Sequence, residues 1–518
     1  MLFWIFFILI GAQAAAWSLA TPLLAGPDEP SHIITAAADV RGHFAKAHEP
    51  GQAEAMQQVH LPAMYSHLQS ESLCLELSFG PADCSLPQQQ CRELTQTSQS
   101  CGLPVRSGGP AATATTYTGR YPPFYFLLVG IPTLFGASPT VLYLMRLLGV
   151  LLGTLLIALG FFSVARWSSK PLLIAGTSLA LTPASLYLIA VINPNGLEVA
   201  SAVCLWTAGA VLLCERRSAI PSGLLAIVGV SAITLLVSRP VSPLWTVMIL
   251  AILLLMADRG TLRMLWQGRV VRYWMGAIGL VTVVAAAWIF IMNATLVLPA
   301  ISRPPLGTPW LTIARTTAGQ WSVLLQQMIG VMGWDNASAP LATFLLWYAG
   351  VGFVAVLAFS AASRTAWRKQ VALGLTIGLT ALVPVVYSVA TARSVGYLIS
   401  GRYTLALAVG ITIVAATIVD RGSLDVVRLV RVLTAMVAVG QFSAFCWVLR
   451  RYTVGASGSL NPLKSVPGGW RPPVPVVLLI VFFAIVTLAT VIWSCRVASE
   501  MLFQSPDVQS VRPPPDLR

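Results

Sequence analysis

The sequence predicts an all-α integral membrane protein with about twelve transmembrane helices. Its 518 residues are 56% hydrophobic and only 10% charged, and the mean hydropathy is +0.78. That composition is too apolar for a soluble protein of this length. Apolar runs of about 20 residues recur along the chain, and backbone groups inside hydrocarbon must pair within their own segment, which favours helices.

The predicted spans follow the apolar runs between charged connectors. They lie near residues 2–24, 139–165, 171–192, 195–214, 219–238, 241–257, 273–295, 339–360, 371–391, 403–419, 432–449 and 474–495. The first run could be a signal peptide, but it lacks a basic start and a clear cleavage site, so we interpret it as a retained helix. The short apolar stretch 124–135 contains Pro132 and is interpreted as an interfacial helix.

The basic residues are distributed as a multi-pass topology requires. The net charge is +14, yet no basic domain suggests nucleic-acid binding. Connectors rich in Arg and Lys alternate with connectors that have few of them, which predicts both termini in the cytoplasm. We expect one polytopic domain in the cytoplasmic membrane over residues 1–500 and a disordered cytoplasmic tail over 501–518.

The first predicted extracytoplasmic loop, residues 26–120, is long and polar. It holds nine of the eighteen acidic residues and four of the eight cysteines, namely Cys74, Cys84, Cys91 and Cys101. Their spacing lacks the paired C-x-x-C of a zinc ribbon, so two disulfides of unknown pairing are favoured over a metal site. Two further external loops are predicted over residues 296–339 and 450–473.

The sharpest local feature is Pro27-Asp28-Glu29-Pro30-Ser31-His32, directly after the first span. One interpretation is a helix start, since proline suits the first helical position and carboxylates suit a helix N-terminus. The other is chemical. Asp28, Glu29 and His32 would form a catalytic group in which a carboxylate takes a proton from a sugar hydroxyl, or Asp28 and Glu29 would bind Mg²⁺ or Mn²⁺.

Ionisable residues within or beside spans are costly, and here they share one predicted side. They are Arg146, Glu198, Arg239 and Arg402. Each arginine could simply extend to lipid headgroups, which Glu198 could not use in the same way. Together they would enclose an outward-facing cavity for a lipid-linked phosphate, with guanidinium groups on the phosphate oxygens.

Other features weigh less. Asp335 could add a carboxylate, although an ordinary solvated loop acid is the favoured interpretation. Patterns typical of serine hydrolases, zinc proteases and ATP-driven proteins are absent from the sequence.

Several segments together resemble bacterial membrane proteins of the domain-of-unknown-function family 2142, which are similar to GT-C class polyprenyl-phosphate-sugar glycosyltransferases. The segments are residues 27–32, Tyr121-Pro122-Pro123-Phe124-Tyr125, Tyr143-Leu144-Met145-Arg146-Leu147-Leu148, Asn193-Pro194-Asn195-Gly196-Leu197-Glu198, Ser400-Gly401-Arg402-Tyr403 and Arg450-Arg451-Tyr452. The chain departs from the family pattern at Asn195, where Asp would be expected, and at Ser400, where Gln would be expected.

The resemblance implies a GT-C-like fold with Asp28 as catalytic base and an isoprenoid-phosphate sugar donor. The predicted substrate-binding residues are Arg146, Asn193, Asn195, Glu198, Arg239, Arg402 and Tyr403. The expected activity is transfer of a sugar to an envelope glycan, glycolipid or protein on the extracytoplasmic side. A transporter or flippase of a lipid-linked precursor is the alternative, and a non-catalytic assembly subunit is a third interpretation.

Overall fold

The computed structural model describes residues 1–44, 54–76, 105, 107–215, 217, 219–296, 303–361, 367–397, 399–419, 425–455, 459–464 and 470–503. The fold is mostly helical, at 74%, which confirms an all-α membrane protein. Of the predicted disulfide cysteines, Cys84, Cys91, Cys101 and the side chain of Cys74 lie outside the described residues, as does the predicted tail beyond Phe503.

The elements follow in chain order. The helices are α1 (Leu2–Leu19), α2 (Glu29–Asp39), α3 (Ala63–Glu76), α4 (Phe124–Val129), α5 (Pro139–Trp167), α6 (Leu172–Ala180), α7 (Pro183–Ala190), α8 (Pro194–Cys214), α9 (Ser222–Leu236), α10 (Ser242–Met256), α11 (Arg259–Gln267), α12 (Arg269–Ile291), α13 (Trp310–Gly319), α14 (Trp321–Gly330), α15 (Leu341–Ser360), α16 (Trp367–Val395), α17 (Leu405–Ala408), α18 (Gly410–Ile418), α19 (Val426–Thr453) and α20 (Val476–Phe503). The strands are β1 (Gln57–Pro62), β2 (Ala111–Thr116), β3 (Val331–Met332) and β4 (Ala337–Ser338), and 3-10 turns cover Ile131–Phe135 and Gly401–Tyr403.

Eight helices in the described part of the chain are long and apolar enough to cross a membrane: α1, α5, α8, α12, α15, α16, α19 and α20. Each coincides with a span predicted from hydropathy. Two further pairs, α6 with α7 and α10 with α11, would each count as one span but are bent by 61° and 119°. The described residues therefore contain eight to ten candidate spans. Helix α9 and the α17–α18 stretch are shorter apolar helices.

The bend between α6 and α7 divides a segment for which the sequence predicts one span, residues 171–192. Pro183 begins α7 and lacks a backbone N–H, so the helical hydrogen bonding stops there. The Thr182 side chain caps α7 by accepting from the Ser185 N–H. The Gln441 amide donates to the Leu181 carbonyl at 2.7 Å. This backbone oxygen, which has lost its helical partner at the break, is therefore satisfied within the protein, as a buried break requires.

Helix α8 forms the centre of the bundle. In its most apolar stretch 94% of the residues are buried inside the protein, and it packs against α5, α9, α10 and α18. Its N-terminus therefore lies among several helix ends. By contrast, only 6% of the corresponding stretch of α12 is buried, which leaves that helix at the periphery.

Two small sheets position residues beside the end of α1. Strands β1 and β2 pair antiparallel, with Gln57 opposite Thr116. The Thr35 hydroxyl in α2 lies 2.9 Å from the hydroxyls of Thr116 and Thr118. These contacts fix the chain segment between them, which contains Tyr117, against α2.

The second sheet is the β3–β4 hairpin, which follows α14 directly. Its four-residue turn has Gly333 and Asp335 with φ of 65° and 60°. The Trp334 indole donates to the Leu24 carbonyl at 3.2 Å. The hairpin is thereby attached to the segment that links α1 to α2.

Candidate active site

The 27–32 motif does begin a helix, as one of its two interpretations predicts. Helix α2 starts at Glu29 with Pro30 in its first turn, and Asp28 occupies the N-cap position. Asp28 has φ of 60° and makes no capping hydrogen bond through its side chain. Its carboxylate is therefore directed elsewhere, so the helix-start interpretation leaves the chemical one open.

Asp28 instead joins two distant parts of the chain. Arg402 lies 3.0 Å from one carboxylate oxygen, and the Tyr117 hydroxyl donates to the other at 2.8 Å. The Asp28 side chain is 25% exposed, so it remains accessible from the solvent side. Burial alone would raise the pKa of Asp28, but Arg402, His32 and the Tyr117 hydrogen bond together lower it below the usual value.

Two arginines lie over the ring of Tyr403. The centre of the Arg239 guanidinium is 5.0 Å from the ring centroid and that of Arg402 is 5.2 Å from it, within the range of cation–π attraction. Both Nε–H groups are buried and have no hydrogen-bond partner among the described residues. Two buried guanidinium donors are thus available to an anion at this place.

Glu198 holds the guanidinium group of Arg239 in position. One of its oxygens lies 3.1 Å from the guanidinium, and the other accepts from the Ser242 hydroxyl at 2.6 Å. The Glu198 side chain is completely buried. It therefore orients Arg239 and does not face a ligand.

Glu29 and Arg146 form a separate internal pair with no solvent exposure. Two guanidinium nitrogens of Arg146 donate to the two oxygens of Glu29 at 2.8 and 2.7 Å. The remaining donors of Arg146 reach carbonyl oxygens near the end of α1, those of Ser18, Thr21 and Pro22. Glu29 also accepts from the backbone N–H groups of Gly26 and Ile192. The structure thus places both residues in a packed junction of α1, α2 and α5.

Asn193 connects the 27–32 motif to helix α8 through hydrogen bonds. Its amide donates to the Pro27 carbonyl at 2.8 Å, and its side-chain oxygen accepts from the Asn195 N–H as the N-cap of α8. Asn195 is buried in the first turn of the same helix. The Asn193-Pro194-Asn195 segment therefore supports the backbone beside Asp28.

His32 is buried against the rings of Tyr121 and Phe126, with centroid separations of 6.3 and 5.7 Å. Its Nδ1 has no hydrogen-bond partner among the described residues. Burial, with Arg239 and Arg402 adding to it and Asp28 opposing it, lowers the pKa of His32 to about 3. His32 is therefore a neutral imidazole at physiological pH.

The lowered pKa of His32 predicts an acid-sensitive stability. An unfolded histidine binds a proton below pH 6.5, whereas His32 in the folded protein stays neutral down to about 3. Stability that depends on neutral His32 is complete above pH 6.5 and is lost as the pH falls toward 3, by up to about 1.4 kcal/mol per pH unit. We expect the melting temperature in detergent to fall less between pH 7 and pH 5 in His32→Gln than in the wild-type protein. An equal fall in both would contradict this.

Backbone strain concentrates at the same place. Among the described residues, four non-glycine residues have positive φ: Leu24, Asp28, Asn293 and Asp335. Three of these, all except Asn293, lie in the α1–α2 linker or in the hairpin that contacts it. Each such conformation costs about 1 to 3 kcal/mol and persists where the surrounding structure requires it, which is frequent at functional sites.

The sequence-predicted residues thus fall into two groups. Asp28, His32, Arg239, Arg402 and Tyr403 come together as one cluster, which we call the Asp28–Arg402 site. Glu29, Arg146, Asn193, Asn195 and Glu198 surround it as buried supports. Tyr117, Ser242 and Gln327 were not predicted, since no motif marks a single polar residue that tertiary structure brings in from a distant segment.

The carboxylates of the motif do not fit a Mg²⁺ or Mn²⁺ site. Both oxygens of Glu29 are bonded to Arg146, and Asp28 is already paired with Arg402. In the described ranges no group of three or more His, Cys, Asp or Glu side chains is arranged to hold a metal ion. Metal dependence stays a prediction, and no step below is assigned to a metal.

The fold and the site define a polytopic α-helical membrane protein with a charged cluster gathered where several helices begin or end. The chain belongs to the family described as "Predicted membrane protein (DUF2142)", whose model matches residues 12–411. All charged residues of the cluster lie within that match, whereas α19 and α20 follow it. Neither the curated proteins nor the solved structures contain a match to this chain.

Proposed function

We propose that the protein transfers a sugar from a polyprenyl-phosphate donor to a cell-envelope glycan, glycolipid or protein. The observation that carries the proposal is the pair of guanidinium groups over Tyr403, with unpartnered Nε–H donors beside the partly exposed carboxylate of Asp28. Buried guanidinium donors suit phosphate oxygens. A carboxylate next to them suits an incoming hydroxyl.

In this proposal the charged residues of the Asp28–Arg402 site have distinct tasks. Arg239 and Arg402 bind the phosphate and stabilise the negative charge that grows on it as the sugar departs. Asp28 accepts the proton of the acceptor hydroxyl. Glu198 and Ser242 keep Arg239 in place. His32 is neutral and adds no charge to the site.

The proposal includes a topology. We infer that both termini face the cytoplasm of a bacterium, that the short apolar helices and bent pairs complete about twelve spans, and that the Asp28–Arg402 site faces outward. The alternation of basic connectors supports this orientation. The GT-C likeness of the family pattern supports the polyprenyl-phosphate donor.

A transporter or flippase of a lipid-linked precursor is the second candidate. The bent pair α6–α7 favours it, because discontinuous helices often line transport sites. The charged residues, however, lie near helix ends, whereas transporter sites lie near the middle of the membrane. Purified protein in detergent separates the two, since an enzyme forms product there and a flippase needs a sealed bilayer.

Binding of undecaprenyl phosphate tests the phosphate site without knowledge of the sugar. We expect Arg402→Gln to weaken this binding by about 10- to 100-fold, since a charged hydrogen bond contributes about 1.5 to 3 kcal/mol. Arg393→Gln is the matched control. Arg393 is also partly buried, but it bonds to the Thr308 carbonyl, and its replacement should leave binding unchanged. Equal affinities of wild type and Arg402→Gln would remove the phosphate role.

A further inference from the structure

A shallow cleft lies beside Asp28, on the side of Arg402 and the β3–β4 hairpin. The cleft is narrow: the space between its walls, with open solvent included, is about 270 Å³, and its polar lining residues are Gln327, Asp335, Ser400 and Arg402. Pro27, the residue before Asp28, also lines it, and Tyr187 and Met332 lie almost completely buried behind it. The cleft therefore adjoins the proposed reaction centre.

Asp335 differs from the other carboxylates of this region. Glu29, Glu198 and Asp28 each accept hydrogen bonds from side chains. Within the described ranges the Asp335 carboxylate accepts none, although it is near enough to Arg402 and Asp28 to interact with their charges. Its lone pairs are open to a ligand.

The hairpin holds Asp335 in place by means that do not involve its carboxylate. Asp335 has φ of 60° in the β3–β4 turn, and the neighbouring Trp334 is bonded to the Leu24 carbonyl. A left-handed aspartate in a fixed turn costs free energy that the surrounding contacts must offset. The side chain is thus presented to the cleft by a rigid support.

Gln327 supplies the complementary donor. Its side-chain oxygen accepts from the Gly401 N–H at 2.7 Å and from the Ser400 hydroxyl at 3.3 Å. These two bonds fix the orientation of the carboxamide. The amide nitrogen, which has no hydrogen-bond partner among the described residues, is then left as a donor in the cleft.

We propose that this cleft is the acceptor subsite, in which Asp335 and Gln327 bind hydroxyl groups of a carbohydrate acceptor. The inference rests on the proposed sugar transfer. A sugar hydroxyl both donates and accepts hydrogen bonds, and a carboxylate beside an amide donor provides both partners.

The placement gives a balanced reaction step. The acceptor hydroxyl oxygen forms a bond to the anomeric carbon of the donor sugar, while the bond from that carbon to the phosphate oxygen breaks. The electron pair of the broken bond leaves with the phosphate, toward Arg239 and Arg402. The hydroxyl proton passes to Asp28, and Asp335 keeps the acceptor oriented.

Asp335→Asn separates acceptor binding from donor binding. The variant keeps the shape of the side chain but replaces one carboxylate oxygen by an NH₂ group. It should bind undecaprenyl phosphate within about threefold of wild type, or more tightly because a nearby negative charge is gone. In a deletion strain of the source organism, the same variant should restore less than about a tenth of the missing envelope glycan. Gln327→Glu, which preserves the bonds from Gly401 and Ser400 but lacks the amide donor, should show the same loss of glycan.

The matched control is Asp425→Asn, which removes a carboxylate that is 57% exposed and pairs with Arg428. It should restore the glycan fully. Full restoration of the glycan by Asp335→Asn would overturn the proposed acceptor subsite. Loss of both phosphate binding and thermal stability in this variant would overturn it too, because Asp335 would then have a structural role. If the wild-type protein itself does not bind undecaprenyl phosphate, the proposed function fails first and independently of Asp335.

Discussion

Arg146→Met should destabilise the protein by about 3 to 5 kcal/mol, the usual cost of removing one partner from a buried ion pair. In the variant the carboxylate of Glu29, which has no exposure to water, loses its two guanidinium donors. The substitution also removes the guanidinium donors of the Ser18, Thr21 and Pro22 carbonyls. A large fall in melting temperature in detergent, with a reduced yield of folded protein, would report the loss.

The double variant Glu29→Gln with Arg146→Met tests the cause. Because it removes both charges, it should be more stable than Arg146→Met alone, although the backbone hydrogen bonds stay broken. Arg496→Met is the control, since Arg496 forms an exposed pair with Glu500 at 2.9 Å and such pairs contribute at most about 1 kcal/mol. Similar melting temperatures for Arg146→Met and Arg496→Met would show that the internal pair is not a major source of stability.

The membrane class and the long helices follow from hydropathy because lipid permits few alternatives to a continuous helix. The bends do not follow as directly. Residues 171–192 contain no charged side chain, and the break before Pro183 depends on Gln441, more than 200 positions later, to satisfy the Leu181 carbonyl. Tertiary partners of that kind leave no local signal in the sequence.

The candidate site was predictable in its residue types and less so in their roles. The motif places two adjacent carboxylates after α1, and both are predicted from the sequence to act at the site, Asp28 as the catalytic base and Glu29 as an assisting or metal-binding residue. In the structure, the left-handed backbone at Asp28 directs its side chain toward Arg402. Glu29, one residue later, begins the helix and is directed to Arg146 in the interior. Such a division requires the backbone geometry.

For Asp335 the sequence did not favour a position in the site. A single aspartate in a loop is usually solvated, and that was the favoured interpretation of the sequence. The hairpin brings it into the cleft of Arg402 and Gln327, and burial, opposed by Arg402 and assisted by Asp28, raises its pKa above the usual value. The positive φ that fixes this placement is a property of the folded turn, so spacing could not predict it.

Asp28→Asn should reduce sugar transfer by at least about 100-fold, in the range that removal of a general base produces. The amide cannot accept the hydroxyl proton at physiological pH. It can still accept a hydrogen bond from Tyr117, and the Asp28 side chain is 25% exposed, so the melting temperature should fall less than when the fully internal Glu29–Arg146 pair is broken. Loss of a negative charge beside Arg402 should leave undecaprenyl phosphate binding equal to that of wild type or tighter.

The neighbouring residue provides the sharpest comparison for this experiment. Glu29→Gln alters a carboxylate one position away that is wholly internal, so it should lower the melting temperature, and any folded fraction should retain turnover. Asp28→Asn should lower turnover with a smaller fall in melting temperature. Undiminished transfer by folded Asp28→Asn would remove this carboxylate from the mechanism. An equal effect of both variants on stability alone would mean that the whole motif serves as a helix start, with the reaction site elsewhere.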